Sequence, residues 1–122
     1  MVLFSLAGCS EALPEVRTLN VQASAYNSVA AQTNAQPSLA AWGDTLKPGM
    51  KAVAVSRDLI KAGLTHNTLI EIEGLPGQYR VLDKMHKRWT QKIDIYMGED
   101  IAAAREWGVR EVEIRWVPAA AD

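Results

Sequence analysis

The chain has 122 residues, with 13 lysines and arginines against 14 aspartates and glutamates and a formal net charge of −1. This length argues for one domain that can fold without staples. Because no basic stripe stands out, nucleic acid is not expected as a partner, and no run approaches the roughly 20 apolar residues of a transmembrane helix. Two distant histidines and one cysteine give no metal-ligand spacing, so neither a metal nor another cofactor is expected.

Residues 1–17 are predicted to be a truncated signal segment and tether. An apolar run leads into Leu6-Ala7-Gly8-Cys9, which resembles the lipobox of bacterial lipoproteins, where the cysteine becomes the lipidated N-terminus. Only eight residues precede Cys9 and none is charged, so either the translation start lies upstream of Met1 or the match is accidental. Lipidation of Cys9 would anchor the protein in a membrane, and Ser10 resembles the outer-membrane sorting pattern.

Alternating and short apolar runs predict a β-rich domain over residues 18–118, followed by a tail at 119–122. The predicted strands cover residues 18–25, 51–56, 68–73, 78–83, 92–97 and 110–117. Short helices are predicted at 57–62 and 99–107, ended by Gly63 and Gly108. Residues 27–44, rich in Ala, Gln, Asn, Ser and Thr, predict a long surface loop, and loops of such length are usually functional or disordered.

The order strand, short helix, strand occurs twice, over residues 52–73 and 93–115. Two such halves suggest a barrel with pseudo-two-fold symmetry, and the double-psi β-barrel is such a fold; chance similarity between short apolar patterns is the alternative. A closed barrel also removes exposed strand edges. The predicted fold is mainly β, a six-stranded double-psi β-barrel with one or two short helices.

Asp83 and Asp94 stand eleven residues apart, each on a strand predicted to be buried. A carboxylate at such a position is costly without a partner, so it indicates a function or a structural hydrogen bond. The loop between them carries His86, Arg88 and Trp89. Acidic, basic and aromatic side chains on one loop are typical of a site for a polar ligand, especially a sugar.

This pair of aspartates, followed by a helix ending at Trp107-Gly108 and a final strand, resembles the "3D" domain. That domain is named for three aspartates and occurs in membrane-bound lytic transglycosylase A and in related small cell-wall proteins. The resemblance covers roughly residues 25–117 and is most specific in the last third. Asp94 matches the third family aspartate, which the family uses as catalytic acid/base, and Asp83 matches the second.

Two positions depart from the family pattern. The first aspartate falls on Ser56, and Lys84-Met85-His86 stands where the family has Thr-Gly-Gly. The resemblance implies a peptidoglycan-acting protein that cleaves the bond from N-acetylmuramic acid to N-acetylglucosamine as a lytic transglycosylase does. The sugar's own 6-hydroxyl attacks in that reaction, so Asp94 alone would serve as acid and then base. Burial or the charge of Asp83 would raise its pKa to a working value.

The departures favour an alternative, a non-catalytic double-psi barrel that binds glycan or an envelope protein, similar to rare lipoprotein A and expansin-type modules. A third interpretation is an accessory interaction domain without glycan contact. The expected partners are the glycan strands of peptidoglycan, with membrane contact only through a lipid anchor on Cys9. The expected location is the bacterial cell envelope, on the periplasmic face of the outer membrane, and the expected state is a monomer.

The candidate substrate-binding residues are Tyr26, Trp42, Ser56, His86, Arg88 and Trp89. Tyr26 resembles the aromatic residue that precedes the family's site, and it could equally belong to the core. Trp42 and Trp89 would either face a sugar or cover the core, and His86 would be a base or a surface loop residue. Strand-end aspartates such as Asp83 also often accept backbone N–H bonds. Trp107 and Trp116 are assigned to packing.

Overall fold

The computed structural model describes residues 15–28 and 40–118. Two short helices, Arg57–Lys61 (α1) and Ile101–Trp107 (α2), follow the second and fifth of its strands. The strands are Arg17–Tyr26 (β1), Ala52–Val55 (β2), Leu69–Ile72 (β3), Tyr79–Lys84 (β4), Lys92–Tyr96 (β5) and Arg110–Trp116 (β6). All of these elements were predicted from the sequence, with ends that agree within two residues.

Three sequence predictions concern residues outside those described. They are the lipobox at Cys9, most of the loop predicted at 27–44, and the tail at 119–122. In the part of the chain that is described, no helix is long and apolar enough to cross a membrane.

The strands close into a barrel in the order β1-β5-β2-β4-β3-β6. β1 runs parallel to β5 and antiparallel to β6, and β4 likewise runs parallel to β2 and antiparallel to β3. The β2–β5 and β3–β6 pairs are antiparallel. Exchanging β1 with β4, β2 with β5 and β3 with β6 reproduces the same ring. The barrel therefore has the pseudo-two-fold symmetry that the repeated strand–helix–strand order predicts.

Alternate apolar residues of all six strands fill the barrel as one cluster. Trp107 and Trp116 pack in this cluster, as predicted, and the Trp107 indole Nε1 donates to the Ala23 carbonyl at 3.1 Å. The largest fully buried apolar side chains are Leu64, Ile70, Ile93, Ile95, Ile114, Val21, Val53, Val55 and Val81. Burying such side chains contributes about 1.5–3 kcal/mol each, which makes the interior the main source of stability.

A second apolar cluster lies on the outer face of the barrel wall. Its buried members are Ala40, Leu46, Ala52, Leu82 and Tyr96, and Tyr26 and Met50 pack against them. Residues 40–50 supply part of this cluster, so this segment is attached to the outside of β2, β4 and β5 by apolar contact.

A β-bulge in β4 determines which way Asp83 faces. The register pairs Val53 with Val81 but Ala54 with Asp83, so Leu82 is an extra residue on β4. Strict alternation would put Asp83 on the interior face together with Val81. The bulge instead puts Asp83 beside Ala54 on the outer face and keeps its carboxylate out of the apolar interior.

Candidate functional site

Four residues form a row across the outer face of four neighbouring strands. Ser24 in β1 is in register with Asp94 in β5. Asp94 is in register with Ala54 in β2, whose other neighbour is Asp83 in β4. Because neighbouring strands lie about 4.8 Å apart, the two aspartates are separated by two spacings, about 10 Å between Cα atoms. We call Ser24, Asp94, Ala54 and Asp83 the aspartate row; the methyl group of Ala54 leaves room between its two carboxylates.

Asp94 is half-buried, and its Oδ1 accepts a hydrogen bond from the Ser24 hydroxyl at 3.0 Å. Burial raises the pKa of the Asp94 carboxyl, and the charge of Asp83 raises it further. The Ser24 hydrogen bond and the charge of Lys92 act in the opposite direction without cancelling the effect. Asp94 therefore holds a proton to higher pH than an exposed aspartate does.

Asp83 has different partners. Its Oδ1 accepts hydrogen bonds from the backbone N–H of Ala41 at 2.7 Å and of Lys84 at 2.9 Å. Burial raises the pKa of this carboxyl, and the two backbone hydrogen bonds and the charge of Lys84 oppose the rise. Asp83 thus fixes the start of the 40–50 segment against β4, which is the structural role that strand-end aspartates often have.

The Tyr26 hydroxyl lies close enough to both aspartates to be influenced by their charges. Burial, followed by the charges of Asp83 and Asp94, raises the pKa of Tyr26, so the phenol stays protonated. The ring packs against Tyr96, with which it is in register, at 5.5 Å between centroids. The hydroxyl is buried and has no hydrogen-bond partner among the described residues. Leaving a buried hydroxyl unpaired costs about 1–3 kcal/mol.

Trp42 lies on the segment that Asp83 fixes. Its ring stacks on the His66 imidazole, with centroids 4.8 Å apart and an interplanar angle of 27°. Lys84 Nζ lies 5.7 Å from the Trp42 ring centroid. His66 Nε2 in turn contacts Asp44 Oδ2 at 2.5 Å. Trp42 is therefore held beside the aspartate row, with one ring face against His66; its contact with a sugar stays a prediction.

Ser56 is completely buried and is not part of the row. Its Oγ accepts from the Lys92 N–H at 3.0 Å, and its own N–H donates to the Lys92 carbonyl at 2.9 Å. The side chain thus joins the end of β2 to the start of β5, and a contact between Ser56 and substrate stays a prediction.

The loop between the aspartates places its predicted site residues on the surface. His86 is exposed, and its Nδ1 accepts a hydrogen bond from the Arg88 N–H at 3.1 Å. The Trp89 ring has Lys92 Nζ at 4.0 Å and Arg88 Cζ at 4.8 Å from its centroid. Two cations therefore contact the ring that was predicted to stack on a sugar or cover the core, and the substrate roles of these loop residues stay predictions.

Ser24 is the site residue that sequence reasoning missed. Its place beside Asp94 depends on β1 lying parallel to β5, across 70 residues of sequence. The only signal in the sequence was alternation, because Ser24 lies between Ala23 and Ala25 and so faces away from the interior.

A groove of about 580 Å³ opens at a different place, beside β3 and the end of β6. Its lining includes His66, Leu69, Arg115 and Trp116, and no member of the aspartate row. We prefer the row as the candidate site, because two carboxylates and an unpaired hydroxyl converge there.

No protein-family model matches the sequence, and no curated protein matches it. The structure is similar to the crystal structure of an apo expansin from Clavibacter michiganensis, with a TM-score of 0.56 and 20% identity over 87% of this chain. A mutant of that expansin in complex with cellohexaose gives a TM-score of 0.49 and 18% identity over 87% of this chain. The chain spans about half of each expansin chain, 53% and 52%.

The likeness to the apo expansin confirms the predicted fold class. Together with the symmetric strand order, it identifies a mainly β fold, a six-stranded double-psi β-barrel with two short helices. At 20% identity the likeness concerns the fold alone. Membership of the three-aspartate family stays a prediction.

Proposed function

We propose that this chain binds a glycan strand of peptidoglycan at the aspartate row and does not cleave it. The observation that carries the proposal is the row itself, in which Asp94 and Asp83 flank Ala54 on the outer face of the barrel, each carboxylate half-buried. Sugar hydroxyls can both donate and accept, so they suit carboxylate oxygens and a phenol donor together. The buried, unpaired Tyr26 hydroxyl would gain a partner from the glycan once the side chains that cover it move aside.

The hydrogen bonds of Asp83 favour binding over hydrolysis. Ordinary glycosidases need two carboxylates with separate chemical roles. Here Asp83 Oδ1 already accepts from two backbone N–H groups, which leaves Asp94 as the carboxyl with no backbone donor on it among the described residues. The likeness of fold to an expansin also favours the binding module, since an expansin-like module was the non-catalytic alternative predicted from the sequence.

A second candidate, lytic transglycosylase-like cleavage with Asp94 as acid/base, is favoured by one observation. Burial and the nearby charge of Asp83 raise the pKa of the Asp94 carboxyl, which is the direction a general acid requires. Such a reaction needs a single protonatable carboxyl, so the engagement of Asp83 does not by itself exclude it.

One assay separates the two candidates. The full chain is incubated with purified peptidoglycan sacculi, and both the bound protein and any released 1,6-anhydro-muropeptides are measured. We expect co-sedimentation without anhydro products, and weaker co-sedimentation for Asp94→Asn. Glu111→Gln removes the same charge from the exposed surface of β6 and serves as the matched control. Anhydro products that disappear in Asp94→Asn would support the enzyme instead, and absence of both signals would leave an accessory interaction domain.

The cellular setting belongs to the same proposal. We infer an envelope protein on the periplasmic face of the outer membrane, anchored through Cys9 and monomeric. The support is the lipobox-like sequence Leu6-Ala7-Gly8-Cys9. Growth with labelled palmitate tests it, with the protein expressed from the full-length precursor gene. An unlabelled product would contradict the anchor and would leave the glycan site unaffected.

A further inference from the structure

The formal net charge of −1 conceals an uneven distribution of charge over the barrel. The walls around β3 and β6 expose four acids, Glu71, Glu73, Glu111 and Glu113, against two arginines, Arg110 and Arg115. Five basic residues lie together at the start of α1 and around the β4–β5 loop. They are Arg57, Lys84, Lys87, Arg88 and Lys92, and we call them the basic cluster.

The cations of the basic cluster are not neutralised by described carboxylates. Over residues 15–28 and 40–118, the only contact within 4 Å between a basic group and a carboxylate is that of His66 with Asp44. Asp58, the acid of α1, accepts instead from the backbone N–H of Gln91 at 3.0 Å. Lys84 and Lys92 lie near Asp83 and Asp94 without such a contact, and their charges act on those carboxyls. The other three cations leave a net positive charge available to a ligand.

The cluster is held in place by its own contacts. Lys92 and Arg88 both contact the Trp89 ring, and the attraction between a cation and an aromatic face holds these two side chains in position. Arg57 Nε donates to the Met85 carbonyl at 3.2 Å, which ties α1 to the β4–β5 loop. Cations that are already positioned lose less side-chain entropy when they bind a ligand.

The cluster borders the aspartate row. Lys92 stands two residues before Asp94 on β5, and so on the same face of the strand at a distance of about 7 Å. Lys84 follows Asp83 at the end of β4. A ligand extended along the row therefore reaches the cations within one sugar unit or two, while its hydroxyls meet the carboxylates.

We propose that the glycan bound at the aspartate row is anionic, with carboxylate or phosphate groups on its sugars lying on the basic cluster. This inference rests on the proposed glycan-binding function and names the class of glycan. The hydroxyls of a neutral chain can accept hydrogen bonds from these side chains, but such a chain carries no counter-charge for the cluster. An anionic chain gains from them, and its hydroxyls and its acid groups have separate places to bind.

The test compares oligosaccharides that differ in charge alone. Binding of the full chain is measured by titration calorimetry with a neutral β-1,4-linked glucose hexamer, with its C6-carboxylated counterpart and with its C6-phosphorylated counterpart. Polyglutamate is a polyanion without sugar. Each titration is repeated at higher salt, because exposed charge contacts are screened. The double variant Lys87→Gln/Arg88→Gln is compared with Arg105→Gln/Arg115→Gln, which removes the same charge from exposed positions outside the cluster.

We expect a charged hexamer to bind more tightly than the neutral one, and the difference to shrink with salt. The carboxylated and phosphorylated hexamers show which acid group is preferred. Lys87→Gln/Arg88→Gln should weaken binding of the charged hexamers by roughly three- to tenfold, the size expected for two exposed charge contacts. The control pair should bind as the wild type does.

Three outcomes would overturn the inference. Equal affinity for neutral and charged hexamers would show that the cluster takes no part, with the proposed function intact. Equal affinity for polyglutamate would show that charge alone is recognised. Absence of binding to every hexamer would overturn the inference, and co-sedimentation with sacculi would then decide separately whether the glycan-binding function stands.

Discussion

Asp83 and Asp94 lie on opposite sides of Ala54, each in register with it on a neighbouring strand, and they have different hydrogen-bond partners. Asp83 accepts from two backbone N–H groups, whereas Asp94 accepts from one serine hydroxyl. The two acids therefore differ: Asp83 fixes the fold locally, whereas Asp94 has no backbone donor among the described residues.

Replacing Asp83 should reveal its structural role. Asp83→Ala leaves the N–H groups of Ala41 and Lys84 without their acceptor, and we expect a loss of roughly 1–2 kcal/mol in the free energy of unfolding. Asp83→Asn keeps an acceptor oxygen, so its free energy of unfolding should fall clearly less. Urea denaturation of the two variants measures the difference. Equal losses would show that the acceptor oxygen is not what stabilises this segment.

Removing the Tyr26 hydroxyl should separate stability from binding. Because this buried hydroxyl has no partner among the described residues, Tyr26→Phe should leave the free energy of unfolding unchanged or slightly raised. Co-sedimentation with sacculi should fall at the same time, since a donor near both carboxylates is lost. Tyr79→Phe, in the barrel interior, is the control for loss of a phenol elsewhere. A destabilised Tyr26→Phe protein would contradict the assignment of the hydroxyl to ligand binding.

Neutralising Asp94 should stabilise the protein near neutral pH. Burial raises the pKa of this carboxyl above 3.8 in the folded state, so the folded protein binds its proton more tightly than the unfolded chain does. Stability therefore falls as the pH rises from about 3.8 through the folded-state pKa, and it stays lower above that value. Asp94→Asn has no carboxyl to ionise at this position, so its free energy of unfolding does not fall in this way as the pH rises.

Thermal unfolding across a range of pH checks this prediction. The Tm of Asp94→Asn should exceed that of the wild type at pH 7, and the difference should disappear toward pH 3. Glu111→Gln, which removes a carboxylate from the exposed surface of β6, is the matched control. A lower Tm for Asp94→Asn at pH 7 would mean that the ionised carboxylate is stabilised by its surroundings.

The fold was predictable because its signals are local. Alternation in Arg110–Trp116, the glycine that ends each helix, and the repeated strand–helix–strand order are all visible in the sequence. These signals were sufficient to predict the bounds of the strands and helices and the pseudo-symmetric barrel.

The site was only partly predictable because its geometry is not local. Simple alternation puts Asp83 on the same face as Val81, and only the bulge at Leu82 turns it outward. Ser24 meets Asp94 through a parallel pairing that no short window of sequence reveals. The hydrogen bonds that distinguish Asp83 from Asp94 include one from Ala41, which lies in a loop whose path the sequence does not encode locally.

The order of the strands in the barrel also determines at which stage of folding the candidate site is completed. β1, the first strand of the chain, pairs only with β5 and β6. During synthesis it has no strand partner until the last third of the chain has been made, and closing so long a loop is entropically costly and slow. Ser24 and Tyr26 belong to β1, so the aspartate row and its neighbouring phenol come together only when β1 pairs with β5 and β6.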